Sequence, residues 1–331
     1  MHTIKSITIV INPTAGNDTG SRIRPEVEKS FSQLFPQHQL LFTEPGNKAN
    51  AIALGAETDA DLLVVLSGDG TLHDIAQGVL SRPRESRPAI TIIPIGSGND
   101  FARTLGVSTD PIQAIRELRN GVRISADVGK CNQTWYLETL SFGVDAAVAI
   151  STVDLRKSTR TSGALLYAHA AVLAIIRELK AHRVRYSIDG RLFDDDLLIL
   201  AVQNGATYGG GFRIAPRANI TDGYLDVCTG KKVGVLRALF YLARIFSGKH
   251  ERYPTFDTYR AQNLTIDFEA PVPAQCDGEA QQGTHFEISV VPQALDVIVP
   301  AGSSVLKAAQ TTLSGMGQSA HRGSVDAGSE G

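Results

Sequence analysis

Cysteine is scarce in this sequence of 331 residues, and so are methionine and tryptophan. The three cysteines, Cys131, Cys228 and Cys276, are odd in number and lie far apart along the chain. They therefore form neither a disulfide framework nor a Cys-x-x-Cys metal pair, and this usage is typical of a reducing cytosol. We expect a cytoplasmic protein.

Long apolar runs and an excess of charge of either sign are also missing. No stretch approaches the roughly 18 apolar residues that span a bilayer, and the N-terminal run in MHTIKSITIVINP is too short for a signal sequence. The 32 basic and 34 acidic residues nearly balance, so no global field favours nucleic acid. We expect no transmembrane segment and no nucleic-acid partner, while a location at the inner face of the membrane stays open.

The length and the 43% hydrophobic content predict two domains with sizeable cores. In residues 1–125, short β-branched runs alternate with helical segments, a pattern that predicts a doubly wound, mostly parallel α/β sheet. Strands are predicted at 7–11, 40–43, 62–66 and 89–95, and helices at 22–34, 48–57, 72–80 and 111–119.

The pattern changes in residues 126–295, where many strand-like segments are separated by turn residues. This predicts a mainly antiparallel β-sandwich domain, interrupted by helices at about 162–181 and 233–247. We expect the chain to return to the first domain at about 296–307, with a cleft between the two domains. The Ser- and Gly-rich residues 308–331 are predicted to form a disordered tail.

Three glycine-marked loops follow predicted buried strands: NPTAG (12–16), SGDGT (67–71) and GSGND (96–100). Loops after the strands of a parallel sheet share one edge, where ligands bind. Each loop alone is compatible with an ordinary strand-to-helix turn. Together, their accessible N–H groups and the helix N-termini behind them favour a phosphate site.

Acidic residues beside such a site need an explanation, because phosphate is itself negative. Asp69, Asp100 and Asp127 are predicted to converge near the same edge, where they would suit Mg²⁺. Two alternatives stay open, since Asp100 also fits a helix N-cap and Asp127 also fits a turn.

The motifs NPTAG, SGDGT, IPIGSGNDFAR, DGYLDV and CDGE, in this order, resemble the diacylglycerol kinase catalytic family. The likeness is greatest to its bacterial soluble lipid kinases, with sphingosine and ceramide kinases as relatives. GDGT alone is shared with NAD kinases and phosphofructokinase-like proteins, so a fold of that type is expected. Ser67 stands where the family usually has Gly, and Ser97 where Thr is common; both keep a small residue.

The resemblance implies an ATP site and three catalytic acids, with Asp69 acting in the magnesium network. It places a catalytic base in the DGE motif, at Glu279 or Asp277, and we rank Glu279 slightly ahead as the proton acceptor. The residues implied to bind ATP are Asn12, Pro13, Thr14, Ala15, Gly16, Thr43, Ser67, Gly68, Asp69, Gly70, Thr71, Leu72, His73, Gly96, Ser97 and Asn99.

The resemblance also implies a structural Mg²⁺ loop. There Asp222 would bind the ion by its side chain, and Asn219 and Tyr224 by their backbone carbonyls. From the residues alone, Asp222-Gly223 reads equally as a hairpin turn.

The segment VGVLRALFYLARIF combines a broad apolar face with flanking basic residues. Such a helix packs in a core or lies on an anionic lipid surface.

The predicted function is an ATP- and Mg²⁺-dependent lipid kinase acting on a membrane-derived lipid at the membrane surface. Two alternatives remain: an NAD kinase-like phosphotransferase, and a nonenzymatic nucleotide or lipid sensor. The sequence does not distinguish diacylglycerol, phosphatidylglycerol and sphingoid acceptors. The oligomeric state also stays open, with a homodimer as one alternative.

Overall fold

The computed structural model describes residues 4–158 and 163–310. Its N-terminal domain is built on four parallel strands in the order β2-β1-β3-β4. Strands β1, β3 and β4 are buried along their whole length, as expected when helices cover both faces of a parallel sheet. The strands are Ile7–Ile11 (β1), His38–Phe42 (β2), Leu62–Ser67 (β3) and Ala89–Pro94 (β4).

Five helices connect and cover these strands. One pair, α2 and α3, packs together, and α1 packs against α5, so the doubly wound arrangement predicted from the sequence is confirmed. The helices are Ala15–Leu34 (α1), Lys48–Glu57 (α2), Asp69–Leu80 (α3), Asp100–Leu105 (α4) and Pro111–Leu118 (α5).

Helix α1 begins seven residues earlier than predicted, inside the NPTAG loop. The glycines in this segment explain the difference. Glycine is typical of loops, so the sequence predicted a later helix start, but glycine also allows a helix to pack closely against the end of a strand. A Cβ at Gly20 would lie 2.3 Å from the carbonyl oxygen of Asn12, so the helix can pass the end of β1 only with glycine there.

The C-terminal domain is an antiparallel β-sandwich, as predicted. Strands β5 and β15 pair with each other, and Val297 of β15 also pairs in parallel with Ile90 of β4, which joins the two domains. The strands are Val122–Cys131 (β5), Thr134–Tyr136 (β6), Thr139–Gly143 (β7), His182–Ile188 (β8), Arg191–Gln203 (β9), Leu225–Lys231 (β10), Phe256–Ala261 (β11), Asn263–Phe268 (β12), Ala274–Cys276 (β13), Glu279–Gln281 (β14) and His285–Val299 (β15).

Three helices lie on this sandwich: Val144–Ser158 (α6), Gly163–Glu178 (α7) and Val235–Phe246 (α8). Helices α7 and α8 match the two predicted helices, whereas α6 is absent from the predicted elements. Its β-branched residues Val144, Val148, Ile150, Thr152 and Val153 have a low helix propensity and are common in strands. Tertiary packing against α7 and β9 outweighs that preference.

Residues 304–310 are helical, so the first three residues of the predicted disordered tail, 308–310, belong to a helix. The rest of that prediction, residues 311–331, lies outside the described residues.

Candidate active site

The three glycine-marked loops meet at one edge of the parallel sheet. A Cβ at Gly96 would lie 2.4 Å from the Cα of Gly68, so the second and third loops touch backbone to backbone. Asn12 in the first loop donates from Nδ2 to Oγ1 of Thr71, at 2.7 Å. The loops therefore form one continuous rim at the carboxyl ends of β1, β3 and β4.

A cavity of about 410 Å³ opens between this rim and the C-terminal domain. It has a polar end at the rim and at the DGE turn, and an apolar end between the helices of the second domain. The predicted site residues that line the polar end are Asn12, Thr14, Ala15, Gly16, Gly68, Asp69, Gly70, Thr71, Leu72, Gly96, Ser97, Asp100, Asp277 and Glu279.

Five predicted ATP contacts do not line this cavity: Pro13, Thr43, Ser67, His73 and Asn99. Thr43 is buried, and its backbone N–H donates to the carbonyl oxygen of Ile11 at 3.0 Å. Asn99 instead shapes its own loop, with a left-handed φ of 56° and a side chain that bonds both the N–H and the carbonyl of Gly96. Pro13 and Ser67 contribute to the shape of their loops.

A contact between His73 and Asp277 joins the two domains beside the cavity. His73 Nδ1 lies 3.1 Å from Oδ2 of Asp277. Burial acts to lower the pKa of His73, but the hydrogen bond and charge of Asp277 outweigh it and raise the pKa above its ordinary value. His73 is therefore a partner of the DGE motif rather than a phosphate contact.

Asp277 is held by backbone groups as well as by His73. Its carboxylate oxygens accept hydrogen bonds from the N–H groups of Leu137, Glu138 and Thr139, at 2.7, 3.0 and 2.9 Å. With both oxygens occupied and the residue in a left-handed conformation (φ 47°), Asp277 fixes the turn. Its carboxylate is thus engaged by protein groups.

Glu279 is the more available carboxylate of the DGE motif. Its Oε2 forms an ion pair with Lys48 of α2, a residue that the sequence interpretation did not single out. Its Oε1 faces the second loop, since a Cβ at Gly70 would lie 4.0 Å from it. Glu279 thus opposes the glycine rim from the other domain.

Asp69 and Asp100 form a close acidic pair at the rim. Burial and the charge of Asp100 raise the pKa of Asp69 to about 6. Burial likewise raises the pKa of Asp100, against the hydrogen bond from Gly210 and the charge of Arg103, whose Nη1 lies 2.9 Å away. A buried carboxyl with a raised pKa beside a cavity is a candidate for cation binding.

Asp127 does not join this pair, contrary to the predicted convergence. Its Oδ2 accepts from the N–H of Gly223 at 2.6 Å, and its Oδ1 from the N–H of Gln293 at 2.8 Å. Asp127 does not line the cavity, and its hydrogen bonds instead hold the loop that contains Asp222. Its predicted place in a catalytic magnesium network is therefore not supported by the geometry.

The predicted structural magnesium loop, residues 219–224, is held by protein groups. Asp222 forms an ion pair with Arg260, and its Oδ1 also accepts from the N–H of Tyr224 at 3.1 Å. The Arg260 guanidinium lies 4.3 Å from the centre of the Tyr224 ring, and Asn219 Oδ1 bonds Thr221. Arg260 therefore already balances the charge of Asp222, and a structural Mg²⁺ at this loop stays a prediction.

Among the described residues, no group of three or more His, Cys, Asp and Glu side chains is arranged to hold a metal by itself. Mg²⁺ bound with a nucleotide, however, needs only one or two carboxylates, since phosphate oxygens and waters complete its shell. The buried pair Asp69 and Asp100 fits that smaller requirement.

The apolar end of the cavity lies between α6, α7, α8 and β9. Polar groups also occur within it, among them a hydrogen-bonded pair that was not singled out from the sequence: Asp145, whose pKa burial raises to about 6, and Tyr208, which donates to it. The apolar lining comprises Val144, Val148, Ala149, Ala171, Ile175, Leu179, Leu198, Ile199, Phe212, Val233, Ala238, Tyr241, Leu242, Ile245 and Phe256.

Helix α8 presents a second apolar face to solvent. Leu236 is 85% exposed, and Phe240 and Phe246 are each nearly half exposed. Of the two alternatives for this helix, core packing and an exposed apolar face, the structure shows some of each. Its buried residues line the apolar end of the cavity, while its outer apolar residues have basic neighbours such as Arg237 and Arg244.

Two family models match the chain, in the order of its domains. The diacylglycerol kinase catalytic domain matches residues 6–131, and the YegS C-terminal NAD kinase beta sandwich-like domain matches residues 138–299. Both domains of the chain are thus similar to the diacylglycerol kinase catalytic family and its YegS-type members.

Individual relatives agree with this similarity. A diacylglycerol kinase of Staphylococcus carnosus is 25% identical over 83% of this chain and 89% of its own length. A protein of Chromohalobacter salexigens named as a probable lipid kinase, YegS-like, is 29% identical over 85% and 91%. A crystal structure of a diacylglycerol kinase from Bacillus anthracis str. Sterne shares the fold, with a TM-score of 0.73 at 20% identity over 92% of this chain and 100% of that one.

Within residues 4–158 and 163–310, no helix is both long enough and apolar enough to cross a membrane.

Proposed function

We propose that this protein is an ATP- and Mg²⁺-dependent lipid kinase that transfers the γ-phosphate of ATP to a hydroxyl of a membrane-derived lipid such as diacylglycerol. The observation that carries the proposal is the continuity of the cavity. One space joins a rim of glycine loops and carboxylates to an apolar compartment between helices. Such a space suits a substrate with a reactive polar group and a long apolar tail.

The glycine rim is proposed to bind the phosphates of ATP. Gly68, Gly70 and Gly96 line the polar end without side chains, so a phosphate can approach the backbone closely there. Helix α3 begins directly after Gly68, so its N-terminus directs partial positive charge at the rim. Asp69 and Asp100 would hold Mg²⁺ together with phosphate oxygens. When bound, the ion offsets the charge of the transferring phosphoryl group.

Glu279 is proposed to orient the acceptor hydroxyl and to receive its proton as the oxygen bonds to the γ-phosphorus and ADP leaves. Its position opposite Gly70, facing the glycine rim, supports this role over Asp277. Asp277 positions the turn through its three backbone hydrogen bonds. Lys48 balances the charge of Glu279 before the proton arrives.

The apolar end is proposed to receive the lipid tail. The exposed apolar face of α8, with Arg237, Arg244, Lys231, Lys232 and Lys249 beside it, is suited to an anionic membrane surface from which the lipid enters. We accordingly propose a cytoplasmic protein that acts at the inner face of the membrane. A homodimer stays a prediction that no observation addresses.

An NAD kinase-like activity is the nearest alternative, because the second domain matches a model of NAD kinase sandwich type. The apolar end disfavours it, since a dinucleotide acceptor has no tail to bury there. A nonenzymatic sensor is disfavoured by Glu279, whose placement opposite the rim a sensor does not require.

The test is to incubate the protein with ATP, Mg²⁺ and vesicles of a total lipid extract, with NAD offered in parallel. Mass spectrometry would then identify new phosphorylated products. A new phospholipid that disappears in Glu279→Gln supports the proposal. Phosphorylated NAD, or ATP binding without any transfer, would reject it in favour of one of the alternatives.

A further inference from the structure

Tyr167 on α7 lines the cavity, and the mechanism proposed above gives it no part. Its ring is partly buried and packs against a cluster that includes Phe212 and Ile245. Gly209 provides a close contact, since a Cβ there would lie 3.3 Å from Cδ1 of the ring, and its φ of 58° is left-handed. The ring is therefore held between apolar side chains and a glycine turn, which fixes the direction of its hydroxyl.

The same glycine turn also holds one acid of the rim. The N–H of Gly210 donates to Oδ2 of Asp100 at 2.7 Å, and Gly209, Gly210 and Gly211 all have positive φ. This turn lies between β9 and β10, in the C-terminal domain. The position of the Tyr167 ring and that of the Asp100 carboxyl are thus set by one short backbone segment.

The hydroxyl of Tyr167 reaches the third glycine loop of the rim. A Cβ at Gly98 would lie 3.7 Å from this hydroxyl oxygen, 2.6 Å from Oδ2 of Asp69 and 3.3 Å from Oδ2 of Asp100. Three oxygens, from α3, α4 and α7, therefore surround one point beside the rim. Gly98 itself lines the cavity, and with no side chain it leaves that point unfilled.

The hydroxyl differs in chemistry from the acids around it. Ionised carboxylates only accept hydrogen bonds, whereas a phenol hydroxyl also donates. Phosphate oxygens are acceptors, so Tyr167 can contact them directly, while Asp69 and Asp100 need a cation between. The glycine rim belongs to the N-terminal domain, and Tyr167 adds a donor from the C-terminal domain. Because α7 is also a wall of the apolar end, this donor lies where the two ends of the cavity meet.

We propose that Tyr167 is a further catalytic residue, whose hydroxyl donates a hydrogen bond to an oxygen of the γ-phosphoryl group during transfer. The acceptor oxygen bonds to the γ-phosphorus as the bond to the bridging oxygen of ADP breaks, and the acceptor proton passes to Glu279. Tyr167 keeps its own proton and stabilises the charge on the phosphoryl oxygens. The inference rests on the proposed function, because it assigns Tyr167 a part in that reaction.

Tyr167→Phe tests the inference, because it keeps the ring against Gly209 and removes only the hydroxyl. We expect kcat for lipid phosphorylation to fall by about 10²-fold, since one donor to the transition state is lost. KM for the lipid and the affinity for ATP should stay within about threefold of wild type. Tyr253→Phe is the matched control, since Tyr253 is a partly buried tyrosine of the same cluster that does not line the cavity.

A second measurement needs no turnover. ADP with Mg²⁺ and aluminium fluoride imitates the transferring phosphoryl group, and Tyr167→Phe should weaken its binding by about 10-fold or more while ADP alone binds as before. Calorimetry measures both affinities, and the control variant should change neither.

Two results would overturn the inference. If kcat and the affinity for the aluminium fluoride complex both stay within about twofold of wild type, Tyr167 serves packing alone. If the affinity for ADP falls as far as kcat and the unfolding temperature drops, the hydroxyl supports the structure rather than the transition state. Either result, with a wild-type protein that phosphorylates lipid, rejects the role of Tyr167 and leaves the proposed function in place. A wild-type protein that transfers no phosphate to lipid would reject the proposed function itself, and this role with it.

Discussion

The two ends of the cavity are built in different ways. The polar end consists of backbone and short side chains, held by close contacts such as that between Gly68 and Gly96 and by hydrogen bonds such as that from Asn12 to Thr71. The apolar end consists largely of apolar side chains from α6, α7, α8 and β9 that pack against one another. Close backbone contacts and hydrogen bonds fix the geometry of the polar end, whereas the packing of side chains fixes that of the apolar end. Changes at the polar end should therefore stop the chemistry, whereas changes at the apolar end should alter which substrate binds and how well.

The largest effect at the polar end is expected for Asp69→Asn. This variant should abolish phosphoryl transfer and at the same time make the fold more stable. Because burial and Asp100 raise the pKa of Asp69 to about 6, the ionised carboxylate is unfavourable in the folded state. The resulting loss of stability develops as the pH rises from about 4 to about 6, and it is fully present above that range. Asparagine carries no charge, so the variant should gain roughly 1–3 kcal/mol in the free energy of unfolding at pH 7.5 and little at pH 4.

Denaturant titrations at the two pH values would measure the difference. Asp59→Asn, at an exposed position, is the control and should change stability little at either pH. If Asp69→Asn were less stable than wild type at pH 7.5, Asp69 would stabilise the fold. The ionised carboxylate would then not be unfavourable at the polar end.

Glu279→Gln should come next in size, with a fall in kcat of about 10²- to 10⁴-fold, because the acceptor hydroxyl loses its proton acceptor. Nucleotide affinity, measured by calorimetry, should be nearly unchanged, since the glycine rim is untouched. Glu269→Gln, on an exposed loop after β12, serves as the control. Near-normal kcat in Glu279→Gln would remove Glu279 from the mechanism and reopen the case for Asp277.

The same contrast explains how much the sequence could predict. The glycine loops and the DGE turn are local motifs whose backbone requirements appear in the residues themselves, and the structure brings them to one cavity. Thr43 is buried at the end of β2, where its backbone N–H bonds Ile11, and the carboxylate of Asp127 bonds Gly223. Both positions depend on how neighbouring segments pack. No local pattern marks either outcome.

The apolar end and Glu138 were beyond sequence interpretation for a related reason. Helix α6 has the β-branched composition of a strand, so its role as a cavity wall emerges only from packing against α7 and β9. Glu138 stands between Leu137 and Thr139 in the sequence, and only the structure shows that it lies beside Gly205. Long-range contacts of this kind leave no periodic signal in one sequence.

A substitution in the wall of the apolar end should leave the chemistry intact and affect the acceptor. Ala149→Leu places extra volume on α6 inside the cavity, and it should raise KM for a long-chain lipid by about 10-fold while nucleotide affinity stays constant. Steady-state kinetics with long- and short-chain acceptors would measure this, and the short-chain acceptor should be affected less. Ala147→Leu, on the same helix but outside the lining, is the matched control. Equal effects on both chain lengths would contradict a tail-binding role for this end.

The smallest expected effect lies on the outer face of α8, where Leu236→Ser should weaken binding to anionic vesicles by about 3- to 10-fold, because one apolar side chain no longer enters the interface. Leu192→Ser is the control, since Leu192 on β9 is 82% exposed, nearly as much as Leu236 at 85%, but lies far along the chain from α8. Vesicle co-sedimentation and turnover on detergent-dispersed lipid separate binding from chemistry, and only the first should change. Equal losses for both leucines would show that exposed apolar area anywhere suffices, and α8 would then have no special place at the entrance to the apolar end.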